Sequence, residues 1–254
     1  MQIANPIYDT FFKYMIENIS SAKYIIQTVL GQKLIKLEPI PQEKTLLIGG
    51  KINTLRFDYA AIIKQENGVY KKVLIELQKG KDKIDIGRFR RYLAKSYKEE
   101  NQIENEAQYL PVIAIHFLGF NLNNPCPSIQ AKINLANFST GEIIEDCDDD
   151  LINQLMHESY FIQINRIKSN AQDNISKRFQ IFNQELIDNN ALKLSNGNKG
   201  YNNGILDFPD DLITEENRQI IMELSKVLLN EDAIETFIEE RSLEAVIKKD
   251  ADKV

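Results

Sequence analysis

Residues 55 to 78 read Leu-Arg-Phe-Asp-Tyr-Ala-Ala-Ile-Ile-Lys-Gln-Glu-Asn-Gly-Val-Tyr-Lys-Lys-Val-Leu-Ile-Glu-Leu-Gln, two apolar runs joined by Asn67-Gly68. Asn and Gly tolerate the positive φ angles that tight hairpins require. The runs are rich in β-branched and aromatic residues and are too short for independent helices. We therefore predict an antiparallel hairpin with strands over about residues 54 to 64 and 69 to 79.

Each predicted strand carries one acid in an apolar setting, Asp58 on the first and Glu76 on the second. Because side chains alternate between the faces of a strand, Gln78 shares a face with Glu76, whereas Leu77 and Lys79 face away. An ionised carboxylate among apolar residues is costly without a partner, and two together repel unless a cation lies between them. The pattern therefore favours a divalent metal ion, and Mg²⁺ suits a site of one or two carboxylates completed by water and phosphate oxygens.

The hairpin resembles that of a known superfamily. Asp on one strand followed by Glu-x-Lys on the next is the mark of the PD-(D/E)XK nucleases, and Glu76-Leu77-Gln78 is similar to the Glu-x-Gln variant of the recombination-promoting nucleases, a transposase-like family. Residues 9 to 13, Asp-Thr-Phe-Phe-Lys, resemble the opening helix of that family, and residues 88 to 92 resemble its Arg/Tyr helix. The resemblance covers about residues 5 to 120 well and the later part loosely.

The resemblance implies an α/β fold with a restriction-endonuclease-like mixed β-sheet flanked by helices. Residues 1–168 would form the nuclease-like core, and residues 169–254 a helical C-terminal extension. The implied activity is that of a Mg²⁺-dependent DNA endonuclease associated with a mobile element or with recombination. Asp58, Glu76 and Gln78 would be catalytic, and Asp58, Glu76 and the main-chain carbonyl of Leu77 would bind Mg²⁺, or Mn²⁺ or Ca²⁺ in its place.

Gln78 stands where most members of the superfamily carry Lys. Lysine places positive charge against the developing phosphorane, whereas an amide donates hydrogen bonds without charge. Lys79 or Lys81 would have to curl back to supply the charge, and Lys79 faces the wrong way in a regular strand. The first alternative is therefore a DNA-binding protein of the same fold with weak or no cleavage. The second is a protein-interaction domain in which the hairpin is merely structural and the acidic C-terminal helices bind a partner. The hairpin acids would then pair with Arg56 or a nearby lysine.

Charge is distributed unevenly along the chain. The net charge is -6, but residues 64 to 98 contain eleven basic and four acidic residues, so this segment is +7 and the rest is -13. A basic segment around the proposed site favours DNA as the partner, with RNA as an open alternative. On a predicted helix over about residues 85 to 100, one basic face carries Arg88, Arg91, Lys95 and Lys98. A solvated charged face is the alternative explanation for that helix.

A first amphipathic helix is predicted to begin at Asn5-Pro6. Its apolar residues recur every four positions, at Ile7, Phe11, Met15 and Ile19. On its other side, Asp9 either pairs with Lys13 or serves as an accessory residue near the metal. A second helix is predicted over residues 22 to 30, ended by Gly31. We predict a connection over residues 34 to 41. The short apolar run at about residues 46 to 50 is either the first strand or its turn into the Asp58 strand.

The later chain is divided by periodicity and turn residues. Strands are predicted over residues 109 to 120, 129 to 138 and 160 to 167, and helices over about residues 170 to 190, 214 to 230 and 232 to 248. The acidic residues from Glu142 to Asp150 are expected to form a solvated loop away from DNA. His116 falls in the first of these strands, where a neutral hydrogen-bonded imidazole in or beside the core is favoured over a catalytic base.

The remaining expectations concern the cellular setting. No apolar stretch approaches the ~20 residues that span a bilayer, and the N-terminus lacks a basic region followed by an apolar run, so we expect a cytoplasmic protein without a membrane partner. Cys126 and Cys147 have no metal-like spacing and fit unpaired thiols in a reducing compartment. A homodimer is expected from the resemblance, because one active site cuts one DNA strand.

Overall fold

The computed structural model describes residues 1–39, 56–64, 70–80, 90, 94, 101–103, 106–108, 111–144, 149, 152, 157–168, 173–187 and 204–251. In chain order the elements are β1 (Gln2–Ala4), α1 (Asp9–Glu17), α2 (Ile19–Leu30), β2 (Leu34–Pro39), β3 (Arg56–Lys64), β4 (Tyr70–Gly80), β5 (Asn101–Ile103), β6 (Glu106–Gln108), β7 (Val112–Leu118), β8 (Ser128–Ala131), β9 (Leu135–Ala136), β10 (Ile143–Ile144), β11 (His157–Gln163), α3 (Asn174–Arg178), β12 (Ile205–Asp207), α4 (Arg218–Val227) and α5 (Glu231–Ala251). The fold is mixed α/β.

The chain forms two compact units. One comprises Met1–Ile25 together with Ile167–Val254, and the other comprises Ile26–Arg166. The predicted division into residues 1–168 and 169–254 is drawn from sequence resemblance and stays a prediction, whereas the contacts group the N-terminal 25 residues with the C-terminal segment. None of the helices in the described ranges is both long enough and apolar enough to cross a bilayer.

A six-stranded mixed sheet dominates the unit of residues Ile26–Arg166, with strand order β2-β3-β4-β7-β11-β8. The first three strands, β2, β3 and β4, pair antiparallel. Strands β4, β7 and β11 then pair parallel, and β8 pairs antiparallel with β11. Parallel neighbours need a long crossover, usually helical. Between β4 and β7 lie residues 81 to 111, within which Arg90 and Ala94 are helical and exposed. These two residues agree with the helix predicted there.

The central strands match their predictions. The antiparallel hairpin of β3 and β4 is confirmed. Every residue of β7 is buried, which confirms a strand covered on both faces. The connection predicted over residues 34 to 41 is wrong, because β2 occupies most of it. β2 is an edge strand, and its terminal Pro39 is tolerated there because an edge position does not require every backbone N–H.

Two other strand predictions in this unit had wrong bounds. The strand predicted over residues 129 to 138 is divided into β8 and β9, and Phe138 lies fully exposed in the turn after β9. Asn137 holds that turn, because its Oδ1 accepts hydrogen bonds from the backbone N–H groups of Ser139 and Thr140. β11 ends at Gln163, three residues before a 3₁₀ turn closes at Arg166. The predicted strand or turn at residues 46 to 50 lies outside the described residues.

In the other unit, the single helix predicted over residues 170 to 190 is wrong. α3 is followed by two 3₁₀ turns, Gln180–Phe182 and Gln184–Leu186. The break has a local cause at Asn183, whose side chain accepts from the Glu185 N–H at 2.9 Å and donates to Gln180 Oε1 at 3.2 Å. Such side-chain bonds compete with the helical backbone pattern.

An asparagine lies at or shortly before the start of each of three helices. α1 begins at Asp9 rather than at Asn5, which is buried and pairs with Gln184. Asn18 Oδ1 accepts from the first N–H groups of α2, and Gly31 ends that helix at φ +66° as predicted. α4 begins after Asn217 instead of at the predicted residue 214.

Both ends of the chain contribute to the core of this unit. β1 pairs antiparallel with β12, a contact that the sequence did not predict. Phe11 of α1 stacks on Phe237 of α5 with ring centroids 4.6 Å apart. Thr10 donates a 2.8 Å hydrogen bond to the carboxylate of Glu240, which is only 7% exposed. α1 and α5 are therefore joined by apolar stacking and by a buried polar contact.

Candidate active site

The register of the β3–β4 hairpin places the two predicted acids opposite each other. Asp58 pairs with Glu76, and Arg56, which lies two residues earlier on β3, pairs with Gln78. Directly opposed residues of an antiparallel pair lie on the same face of the sheet. By register, Asp58, Glu76, Gln78 and Arg56 therefore belong to one face, near the start of β3 and the end of β4. The sequence predicted the first three together, and considered Arg56 only as an ion-pair partner.

The parallel strands extend this face in two rows. Glu76 is in register with Ala114 of β7, which in turn is in register with Ser159 of β11. We call these residues, with Asp58, the acid row. Ala114 and Ser159 have short side chains, so beyond Glu76 the acid row contains little side-chain volume. We define the amide row as Arg56, Gln78, His116 and Phe161, which follow one another in register across β3, β4, β7 and β11.

His116 is the best-defined side chain of the amide row. It is 6% exposed, and its ring stacks on Phe161 with centroids 4.9 Å apart and planes 18° apart. Burial lowers the pKa of His116 from 6.5 to about 4, so the imidazole is neutral at pH 7. The predicted location in or beside the core is confirmed. Its position next to Gln78 was not predicted, because periodicity within a strand carries no information about register with a strand 38 residues away.

Leu77 and Lys79 belong to the opposite face by register. Leu77 is in register with Phe57 and Ile115, and Lys79 with the buried Phe117. A regular β4 therefore directs Lys79 away from the acid row, as alternation predicts. Metal binding by Leu77 concerns its main-chain carbonyl, which has two lone pairs and retains one after a single hydrogen bond within the sheet.

Asp9, the possible accessory residue, is the first residue of α1 in the unit that contains both chain termini. Its predicted helical neighbour Lys13 approaches Glu17 instead, with Nζ 3.9 Å from Oε1 and both side chains about half exposed. An exposed pair of this kind contributes little stability. An accessory role for Asp9 stays a prediction.

The predicted DNA-binding residues Arg88, Arg91, Lys95 and Lys98 lie outside the described residues. Their neighbours Arg90 and Ala94, four positions apart, are helical and exposed. Residues this far apart share one side of a helix, so that side faces solvent. A basic DNA-binding face on this helix stays a prediction.

The donor set of the acid row suits a hard cation. Two carboxylates and a main-chain carbonyl supply oxygen ligands, which Mg²⁺ prefers over nitrogen or sulfur. Among the residues that the structure describes, no three His, Cys, Asp or Glu residues form a group that could hold a metal ion. The side chains of Asp58 and Glu76 are not described, so their metal site stays a prediction.

Comparison of the chain with known proteins found no matching family model, no matching curated protein and no matching solved structure. The resemblance to PD-(D/E)XK nucleases thus depends on the hairpin and on the flanking motifs quoted above. Register and burial on the central strands are the observations from which a function can be argued.

Proposed function

We propose that the protein is a Mg²⁺-dependent DNA endonuclease of the PD-(D/E)XK type, with a restriction-endonuclease-like core. The observation that carries the proposal is the register that opposes Asp58 to Glu76 on two central strands. Like charges placed directly opposite each other destabilise a sheet. A divalent cation bound between them converts this repulsion into binding energy.

The sheet also supports the proposed fold. An antiparallel run of three strands, β2, β3 and β4, is followed by a crossover to the parallel strand β7. This arrangement is compatible with the mixed sheet flanked by helices that the resemblance implies. The acids lie on the inner strands β3 and β4, and an inner strand is a rigid base for a catalytic site.

Each residue has a defined role in the proposed reaction. Asp58 and Glu76 would hold Mg²⁺ together with the Leu77 carbonyl, and the bound ion would supply Lewis acidity toward water and the scissile phosphate. Gln78 would donate amide hydrogen bonds to a phosphate oxygen, which accepts only. The basic segment from residue 64 to residue 98 would neutralise backbone phosphates and make binding depend on salt.

One observation favours a second function, a DNA-binding protein of the same fold that cleaves weakly or not at all. Gln78 brings no positive charge, and the register of Lys79 with Phe117 assigns that lysine to the other face. Removing one hydrogen-bond donor to the developing oxyanion costs about two to three orders of magnitude in rate in other hydrolases, and the missing lysine charge is expected to lower the rate in the same direction. Binding would survive such a loss.

The test incubates the full chain with supercoiled plasmid and Mg²⁺ or Mn²⁺. Asp58→Asn and Glu76→Gln remove charge with little change in shape, and each is expected to slow nicking at least about a hundredfold, as is EDTA. Glu38→Gln is the matched control, because this exposed acid lies on β2 of the same sheet and pairs only with solvent-exposed Lys36 among the contacts described.

Three outcomes separate the candidates. Nicking that needs both acids and the metal supports the endonuclease. An intact plasmid that is still retarded on a gel, with retardation lost steeply as salt rises, rejects cleavage and supports the binding protein. An intact plasmid without retardation rejects both and leaves the protein-interaction domain.

A further inference from the structure

The loop of residues 119 to 127 leaves the sheet at the carboxyl end of β7. Gly80, Leu118 and Gln163 are the last residues of β4, β7 and β11, and they are in register with one another. The carboxyl ends of these parallel strands therefore meet at one edge of the sheet, which is the edge where open α/β sheets bind their ligands. The loop begins directly at this edge.

Gln163 fixes the loop to the sheet. Its side chain is fully buried, and its Oε1 accepts hydrogen bonds from the Leu122 N–H at 2.6 Å and from Arg166 Nε at 3.2 Å. Its Nε2 donates to the main-chain carbonyls of Asn124 and Cys126. The amide of Gln163 thus uses both donors and both acceptor sites. A loop held in this way keeps its exposed groups in place before a ligand binds.

The same glutamine places the loop on the face of the acids. Side chains alternate along β11, so Gln163 shares a face with Ser159 of the acid row. Gln163 lies four residues and two strand spacings from Glu76, or about 16 Å at ~3.3 Å per residue and ~4.8 Å per strand. This distance corresponds to about five base pairs at ~3.4 Å each. A duplex that lies along this direction at the acid row therefore reaches the loop.

The composition of the loop suits a nucleic-acid ligand. No acid occurs between Glu106 and Glu142, although 37 of the 254 residues are Asp or Glu, so no carboxylate of the loop repels phosphate. Asn121 and Asn123 are exposed, and their side chains make no hydrogen bond within the part of the chain that the structure describes. An asparagine amide can donate to a phosphate oxygen, or form two hydrogen bonds with the edge of adenine.

We propose that the loop of residues 119 to 127 is part of the DNA-binding surface, that Asn121 and Asn123 contact the duplex, and that Gln163 is the positioning residue that holds them there. The proposal rests on the proposed function for DNA as the ligand. It adds contacts that neither the acids nor the basic segment supplies. Because these contacts bring no charge, they increase affinity without changing its dependence on salt.

The first experiment locates the duplex relative to the loop and does not require cleavage. Cys126 is exposed in the loop, and in the full chain with Cys147→Ser it is the only thiol available to a photocrosslinking reagent. The labelled chain is irradiated with a duplex oligonucleotide of mixed sequence, and crosslinked DNA is measured on a denaturing gel.

The matched control carries its thiol at Gln130→Cys, with both native cysteines replaced by serine. Gln130 is exposed on β8, but its register with Tyr160 assigns it to the face opposite the acids. Cys126 is expected to give several-fold more crosslinked DNA than this control. Equal yields would overturn the proposal.

The second experiment measures the Kd for the same duplex. The double variant Asn121→Ala, Asn123→Ala should raise Kd about tenfold, with no change in the salt slope because no charge is lost. Its melting temperature should stay unchanged, since both side chains are exposed. Gln130→Ala, which removes an exposed amide on the other face, is the matched control and should leave Kd unchanged.

A third measurement tests how Gln163 acts. Gln163→Met should raise the Kd of the wild-type chain by about the same factor, but should add little in the chain that lacks both asparagines, because it acts through them. A general loss of structure would instead weaken binding equally in both backgrounds, and that result would overturn the positioning role.

The results separate this inference from the proposed function. A chain that binds the duplex with steep salt dependence, but gives equal crosslinking at the two thiols and unchanged Kd in the asparagine variant, refutes the loop contact and keeps DNA binding. A chain that does not bind the duplex refutes both. Preferred crosslinking at Cys126 together with weaker binding of the asparagine variant supports the loop contact, whether or not the chain nicks plasmid.

Discussion

Acidification should destabilise the sheet through His116. The perturbation is a fall from pH 7 to pH 4, and the residue is buried beside Phe161 with a pKa lowered from 6.5 to about 4. Below about pH 6.5 the unfolded chain takes up a proton on this histidine, whereas the folded chain does not until about pH 4. Proton uptake therefore favours unfolding throughout that window, and no further stability is lost below it.

The magnitude follows from the shift. A change of about 2.5 pKa units at ~1.36 kcal/mol each corresponds to about 3 kcal/mol. This is a large share of the roughly 5 to 15 kcal/mol that stabilises a typical domain. Because the imidazole is almost completely buried, solvent screening reduces the value little.

The assay is urea unfolding at pH 7, 6, 5 and 4, followed by far-ultraviolet circular dichroism. His116→Phe keeps an aromatic ring against Phe161 and removes the titration, so wild type should lose about 3 kcal/mol more than this variant across the series. His157→Gln is the matched control for the loss of a histidine, because it leaves His116 in place. The contributions of the carboxylates are present in all three proteins and largely cancel. Equal losses in wild type and His116→Phe would show that the buried imidazole is not the cause of the pH dependence.

Two further predictions concern the unit that contains both termini and the end of α2. Thr10→Val keeps the shape of the side chain but removes the hydrogen-bond donor to buried Glu240, and should lower the free energy of unfolding by about 1 to 3 kcal/mol. Thr10→Ser retains a hydroxyl and should keep most of the wild-type stability. Equal stabilities of wild type and Thr10→Val in urea titrations would show that the 2.8 Å contact is unimportant. Gly31→Ala should lower the free energy of unfolding by about 1 to 2 kcal/mol, because Gly31 has φ +66°; the cause is backbone strain alone, since an added Cβ meets nothing within 4 Å. Gly31→Asn should cost less. The measurement is the melting temperature, and an unchanged value in Gly31→Ala would contradict this cause.

Much of the sheet could be predicted because its signals are local. Asn67-Gly68 and the two β-branched runs specify a hairpin within 24 residues, and the unbroken apolar run of β7 specifies a strand covered on both faces. Asp58 and Glu76 could be predicted together for the same reason, since a hairpin has few registers. The turn at Asn67-Gly68 lies outside the described residues, but the register of its strands agrees with the prediction.

The errors arose where hydrogen bonds or strand pairings that apolar periodicity does not reveal decide the structure. Only Leu34 is fully buried in β2, so this edge strand shows little alternation of apolar and polar residues, and it also ends in a proline. Its hydrogen-bonded pairing with β3 is what makes it a strand. The helix expected over residues 170 to 190 breaks at Asn183, whose bonding cannot be read from apolar periodicity. The amide row depends on register across the crossover between β4 and β7, which no local rule predicts.

The contacts between the two chain ends have a consequence during synthesis. Thr10 and Glu240 are 230 residues apart. At about 5 to 20 residues per second, a ribosome needs roughly 12 to 46 s to make the second after the first. Throughout that time Phe11 lacks its stacking partner on α5, and residues Ile26–Arg166 are completed well before that partner is made. The nascent chain therefore carries α1 without its partner until α5 has been made, and α1 is the segment that a ribosome-associated chaperone would be expected to bind.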